Sequence, residues 1–155
     1  MEKKGFTLIE LLMVIVIIGI LSSIAIPQYR KVMERSYFTK AQVMAKAMHD
    51  SCERLIDEWG VESYENLPNN KKNIASLDIG STDVLPGGFG INEGAKQIFG
   101  SGFSYTLSGE CVVTITKTSG QYSGVQIKYN GAAFYDCSES AGGLAVGACE
   151  VYGLD

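Results

Sequence analysis

The chain has 155 residues, 46% of them hydrophobic and 19% charged, with a formal net charge of −4 and a pI near 5.0. That acidic balance argues against a general nucleic-acid-binding surface, which needs clustered Lys and Arg. Eighteen Gly against three Pro indicate a loop-rich domain and not a disordered one, and there is no Asn-x-Ser/Thr acceptor for N-glycosylation.

A short charged head, Met1 to Gly5, gives way to an apolar run from Phe6 to Ile26 that only Thr7, Glu10, Ser22 and Ser23 interrupt with polar groups. As a helix rising about 1.5 Å per residue, this run is roughly 31 Å long, the thickness of a bilayer's hydrocarbon. Apolar on every side, it belongs in a membrane or among other chains. The head is too short and the run too long for a secretory signal. No small-x-small cleavage site follows; the run leads to Pro27 and Gln28-Tyr29-Arg30-Lys31. Lys3-Lys4 mark the cytoplasmic end, a bias that Arg30 and Lys31 blur on the far side. Glu10 lies well inside the run, and an acid at membrane depth calls for a partner. A cut between Gly5 and Phe6 would create one: an α-amine one turn before Glu10, titrating near pH 7.7 to 8.0 and so largely cationic at neutral pH. The bland alternative is a single-pass anchor with a stray Glu.

Lys4-Gly5-Phe6-Thr7-Leu8-Ile9-Glu10, followed by the aliphatic run, resembles the class III leader of type IV pilins and related pseudopilins, and the very short leader resembles the type IVa branch. The resemblance implies cleavage after Gly5 by a prepilin peptidase/methyltransferase, which also N-methylates Phe6. It implies storage in the bacterial inner membrane as a single-pass prepilin, then extracellular life as a helical homopolymer built by the inner-membrane pilus assembly machinery together with other pilins. In such a fibre Glu10 would align and neutralise the N-terminus of the adjoining subunit. Twitching motility, cell adhesion and DNA uptake are expectations inherited from the family. The chain then divides into a leader (1–5), a transmembrane and filament-core half-helix (6–27), an amphipathic half-helix (28–60), a helix-to-sheet loop (61–102), and a sheet with a C-terminal disulfide loop (103–155). Residues 28–155 form one globular domain.

Gly19 and Pro27 are the weak points of the first half-helix, since Gly lacks helix propensity and Pro removes a hydrogen bond. The family implies that the segment between them loses helicity in the filament. From Gln28 the pattern turns amphipathic. Tyr29, Met33, Tyr37, Ala41, Met44, Met48, Cys52, Leu55 and Trp59, with Val32 and Ile56 beside them, form one stripe. Lys31, Glu34, Arg35, Lys46, Asp50, Glu53, Arg54 and Asp57 lie off it and are expected to face solvent or neighbouring subunits. Gly60 suits a helix stop, so one helix is predicted from about Phe6 to Trp59. His49, the sole histidine, reads as a solvated or capping side chain.

Residues 61–102 read as a long irregular connection, with turns at Asn69-Asn70-Lys71-Lys72-Asn73 and Pro86-Gly87-Gly88-Phe89-Gly90 and a short apolar element at Leu77-Asp78-Ile79-Gly80. The glycine group lacks the Gly-Lys-Ser/Thr ending of a phosphate loop. The last third has period two: Phe103–Leu107, Cys111–Lys117, Val125–Tyr129 and, after an Asn130-Gly131 hairpin, Ala132–Cys137. The predicted class is α+β, a long helical spine packed on a small antiparallel sheet of three to four strands.

Cys52, Cys111, Cys137 and Cys149 allow three pairings in an oxidising compartment. Resemblance to the disulfide-closed C-terminal loop of many type IV pilins implies Cys137 with Cys149, around Ser138-Glu139-Ser140-Ala141-Gly142-Gly143. Cys52 and Cys111 would then join helix to sheet, free buried thiols being the alternative for those two. No nucleophile-base set or metal-ligand cluster stands out, so no enzyme, metal or cofactor is expected. The leading expectation is a structural pilin. The alternatives are a type II secretion pseudopilin and a minor pilin for DNA uptake or adhesion.

Overall fold

The computed structural model describes residues 5–72, 76–79, 89–91, 97–100, 102–139 and 147–154. Outside them lie Met1–Lys4 of the leader, Asn73, Gly80, Pro86-Gly87-Gly88 and Ser140–Gly143. Helix α1 runs without a break from Leu8 to Trp59, through Pro27. It begins at an extended Thr7 and ends where Gly60 enters the left-handed region at φ 60°. There Val61 N–H reaches back 3.1 Å to Ile56 O, satisfying a terminal carbonyl.

The second half of α1 buries Phe38, Ala41, Met44, Ala45, Met48, His49, Ser51, Cys52 and Leu55. This is the centre of the predicted stripe, but its ends differ. Tyr29, Val32 and Trp59 are exposed, because the sheet reaches neither end of the half-helix, and Tyr37 is half-buried. Phe38, one position off the stripe, takes the buried place instead. It stacks on Tyr152 at 4.5 Å and meets Phe134 edge-on at 6.0 Å.

Six antiparallel strands follow in meander order: β1 (Phe89–Ile91), β2 (Gln97–Gly100), β3 (Phe103–Ser108), β4 (Val112–Lys117), β5 (Gln126–Tyr129) and β6 (Phe134–Ser138). Four of them, β3 to β6, come from the last third and make the α+β pilin-like pairing of helix on sheet. β1 and β2 correct the reading of 61–102 as wholly irregular. At three and four residues, each with a glycine, they are too short for alternation to show. Their pairing with one another and with β3 defines them. A 3₁₀ turn at Tyr64–Asn66 and the short helix α2 (Ala148–Tyr152) complete the described elements.

The register explains the core. Tyr105 lies opposite Ile115, which lies opposite Ile127, while Val113 sits between Leu107 and Tyr129. This inward row packs beneath α1, and each such aliphatic side chain contributes about 1.5–3 kcal/mol of hydrophobic stabilisation. The β5–β6 hairpin turns at Asn130-Gly131. Asn130 Oδ1 accepts from the Ala132 and Ala133 amides at 3.2 and 3.0 Å, and Gly131 adopts φ 86° directly over the His49 ring, where a Cβ would collide with the imidazole.

Two polar residues of α1, His49 and Glu34, depart from expectation, and Arg35, exposed as expected, also bonds the domain. His49 is buried, not solvated: Nδ1 lies 2.9 Å from Cys111 O and Nε2 3.2 Å from Glu53. Glu34 and Arg35 turn toward the domain. Lys117, the last inward position of β4, is buried and places its ammonium 3.0 Å from Glu34 Oε2 and 4.4 Å from the centre of the Phe103 ring. Arg35 Nε donates to Val151 O at 2.8 Å. Each is drawn in by a buried partner from the sheet or from α2, which helical periodicity does not register.

Candidate functional site

Gly5, Phe6 and Thr7 precede the helix, so the Gly5–Phe6 peptide lies two residues outside it, and Phe6 is 91% exposed. Thr7 starts α1 through a capping box. Glu10 N–H donates to Thr7 Oγ1 at 3.3 Å, while Glu10 Oε2 accepts from the Thr7 amide at 2.8 Å and from its hydroxyl at 2.7 Å. The carboxylate thereby satisfies orphan donors at the helix start, where the macrodipole also favours negative charge. Both bonds end on Oε2. Among the described residues Oε1 accepts none, and no cation lies within ion-pair distance of the group. Glu10 is thus held in orientation, and no described residue neutralises it. The capping role was legible as Thr-x-x-Glu before an apolar run, a signal that the reading of Glu10 as an unpartnered acid passed over.

From Phe6 to Ile26, 15 large apolar side chains are more than half exposed. This part of α1 is long and apolar enough to cross a membrane, and none of its most apolar stretch is buried. Gly19 and Pro27 both lie within unbroken helix in this isolated chain. Pro27 has no N–H for the Ser23 carbonyl four residues earlier, and the Ser23 hydroxyl donates to Ile20 O at 2.7 Å. The backbone between Gly19 and Pro27 therefore lacks one helical hydrogen bond, and the Ser23 hydroxyl competes for a carbonyl there, a weakness that Gly and Pro alone did not signal.

At the other end of the domain, Cys137 is bonded to Cys149 and Cys52 to Cys111. Glu139 spans the first of these closures: Oε2 accepts from the Gly147 amide at 3.1 Å and Oε1 from the Cys149 amide at 3.0 Å, tying β6 to the start of α2. The second bridge pins the C-terminal end of α1 to the β3–β4 turn, beside the His49–Cys111 contact. Nearby, Tyr105 is buried and burial pushes its phenol well above the ordinary tyrosine range, as it does for Tyr152. Both rings stay neutral and act as packing groups.

A family model described as the prokaryotic N-terminal methylation motif matches residues 1–26. The chain is 35% identical to a fimbrial protein of Pseudomonas aeruginosa over 128 residues, 81% of this chain and 74% of that protein. It is 44% identical over 54 residues, 35% of each chain, to the type IV major fimbrial protein FimA of Dichelobacter nodosus. It is 44% identical over 68 residues, 44% of this chain and 30% of the other, to the type IV major pilin protein PilA of Myxococcus xanthus strain DK1622. No solved structure matches the chain.

Proposed function

The chain belongs to the type IV pilin family, and from that premise we propose that it is the structural subunit of a type IV pilus, exported as a membrane-anchored prepilin. The single observation that carries this reading is an apolar half-helix left exposed among the described residues, which bears at its start one oriented carboxylate with no cation among those residues in ion-pair reach. Burying that apolar surface takes either lipid or other copies, and burying Glu10 takes a cation. Cleavage after Gly5 supplies the cation as the Phe6 α-amine. The Gly5–Phe6 junction, outside the helix, suits entry into a prepilin peptidase, and N-methylation of Phe6 retains the charge. The amine of one copy then meets Glu10 of the adjoining copy as the fibre grows. The role is structural, not catalytic.

The segments act as leader (1–5), filament core (6–27), domain-bound half-helix (28–60), connection (61–102) and sheet with its closing loop (103–155). In the filament the stretch from Gly19 to Pro27 loses helicity, since its hydrogen bonding is already incomplete and lateral packing rewards extension. A filament map with straight, fully bonded helix there overturns that part.

The test is mass spectrometry of filaments sheared from cells. A dominant subunit beginning with methylated Phe6 supports the reading. A chain that retains Met1 to Gly5 refutes the processing site, and a processed chain rare in filaments refutes the major-subunit role. Glu10→Gln keeps the capping geometry while removing the charge, so membrane insertion persists and filament yield collapses. Normal yield from that variant would sink the role assigned to Glu10.

A further inference from the structure

Pro27 closes the membrane-length segment, and the next turn of α1 carries Arg30 and Lys31. These two side chains, with Ile26 and Pro27 from α1 and Gln121 and Tyr122 from the β4–β5 loop, line an open cavity of about 340 Å³. Arg30 and Lys31 are exposed, and among the described residues neither meets a carboxylate within ion-pair distance. The acid best placed to neutralise Arg30 is Glu34, one turn on at the i+4 position. Glu34 instead faces the buried Lys117 at 3.0 Å. Arg35, the other cation of this region, is committed to the Val151 carbonyl. Two cations without a carboxylate partner among the described residues therefore flank a cavity with an apolar corner.

Their depth identifies the ligand. The run from Phe6 to Ile26 spans about 31 Å, matching the hydrocarbon layer, and the polar zone adds about 5–7 Å on each side. Arg30 lies four residues past Ile26, about 6 Å further along the axis. That is where lipid phosphates sit.

We propose that this cavity seats the phosphate of an anionic phospholipid headgroup on the membrane face opposite the leader. The inference rests on the membrane-anchored reading above and deepens it. The Arg30 guanidinium takes two phosphate oxygens through its planar fork, and Lys31 adds a second, point-like charge. Ile26 and Pro27 lie against the first carbons of the lipid, and the Gln121 amide offers hydrogen bonds to the headgroup. Because Gln121 and Tyr122 belong to the sheet domain, a bound lipid also fixes the orientation of that domain on the membrane before assembly.

The experiment uses the full chain in nanodiscs that contain phosphatidylglycerol and phosphatidylcholine in equal amounts, followed by native mass spectrometry of the lipids retained on release. The unaltered chain retains phosphatidylglycerol preferentially. Arg30→Gln and Lys31→Gln each lower that preference about fivefold, the contribution of one cation near an anionic surface. The paired control Lys71→Gln with Lys72→Gln, away from the cavity, leaves it unchanged. Equal retention by the unaltered chain and the Arg30→Gln/Lys31→Gln chain overturns the proposal. So does loss of the adduct to millimolar inorganic phosphate, which makes the site one for free anions. Unchanged lipid preference with reduced filament yield in the double variant also overturns it and assigns the cavity to a neighbouring subunit. Failure of the chain to insert into vesicles overturns the membrane reading itself, an outcome distinct from insertion without lipid preference.

Discussion

Ile15 and Ile115 are the same residue in one chain. Ile15 is 61% exposed on the first half of α1, and Ile115 is fully buried in the middle of β4. The contrast holds across both regions. The first half of α1 makes its helix through local bonds alone and leaves its apolar surface unclaimed. The second half and the sheet claim one another, down to an inward row of Tyr105, Ile115 and Ile127. Hydrophobicity alone therefore does not locate the core. What separates the regions is periodicity: apolar all round in the first, apolar on one face in the second. The first region stores surface for lipid and other copies, and the second stabilises the single subunit.

If that division is right, stability of the isolated chain responds to changes in the second region and is indifferent to the first. The largest response comes from the Cys52–Cys111 bridge, which links positions 59 residues apart and ties α1 to the sheet. Replacing both with Ala costs about 4 kcal/mol in the chain-entropy model, against about 3 kcal/mol for Cys137–Cys149, which closes only 12. Denaturant unfolding of the detergent-solubilised chain measures both. A larger loss from the C-terminal pair would mean that the domain depends on its closing loop more than on its attachment to the helix.

Next comes Glu34→Ala, which leaves the Lys117 ammonium buried beside Phe103 and costs about 3 kcal/mol. Adding Lys117→Met recovers most of that loss, because an apolar chain of similar length fills the same space without a charge. Glu34→Ala that unfolds no more easily than the unaltered chain would show that water reaches Lys117.

The matched pair Ile115→Val and Ile15→Val tests the comparison directly. Removing one methylene from the packed strand costs about 1 kcal/mol, whereas the same change on α1 leaves subunit stability unaltered. Equal effects would erase the distinction between the two regions.

How far the sequence exposed this division varies with the range of the interaction. The helix and its stop at Gly60 were legible because apolar spacing and a terminal glycine act within a turn or two, while the start, predicted at about Phe6, falls at Leu8 behind the Thr7 cap. Strands β3 to β6 were legible because four to six residues alternate and Asn130-Gly131 marks a hairpin. β1 and β2 were not, since Phe89–Ile91 becomes a strand only by pairing across the sheet. Buried polar residues were missed for the same reason. His49 looks like any surface histidine until the Cys111 carbonyl and Gly131 close over it. Lys117 was half visible, since the alternation that places Val113 and Ile115 inward carries it inward too. Its partner Glu34, however, is 83 positions away and gave no local sign.

The smallest predicted effect concerns pH and the segment 76–79, which docks Leu77 and Ile79 onto the domain. Hydrogen bonds from Arg54, then from Ser51, hold the Asp78 carboxyl below its ordinary value of 3.8. A carboxylate whose folded pKa is depressed stabilises the fold above its unfolded pKa, and that contribution is lost as pH falls through the folded value. Here the window opens below pH 3.8. Both partners are 59% exposed, so screening by solvent and salt keeps the effect below that of Ile115→Val. Thermal unfolding followed from pH 5 to pH 2.5 therefore falls slightly less steeply for Asp78→Asn than for the unaltered chain, and high salt narrows the gap. Parallel curves would show that the pair is a surface contact of no energetic consequence, and that apolar docking of Leu77 and Ile79, with the Asp78 amide donating to Ser51 Oγ at 3.0 Å, holds this segment against α1.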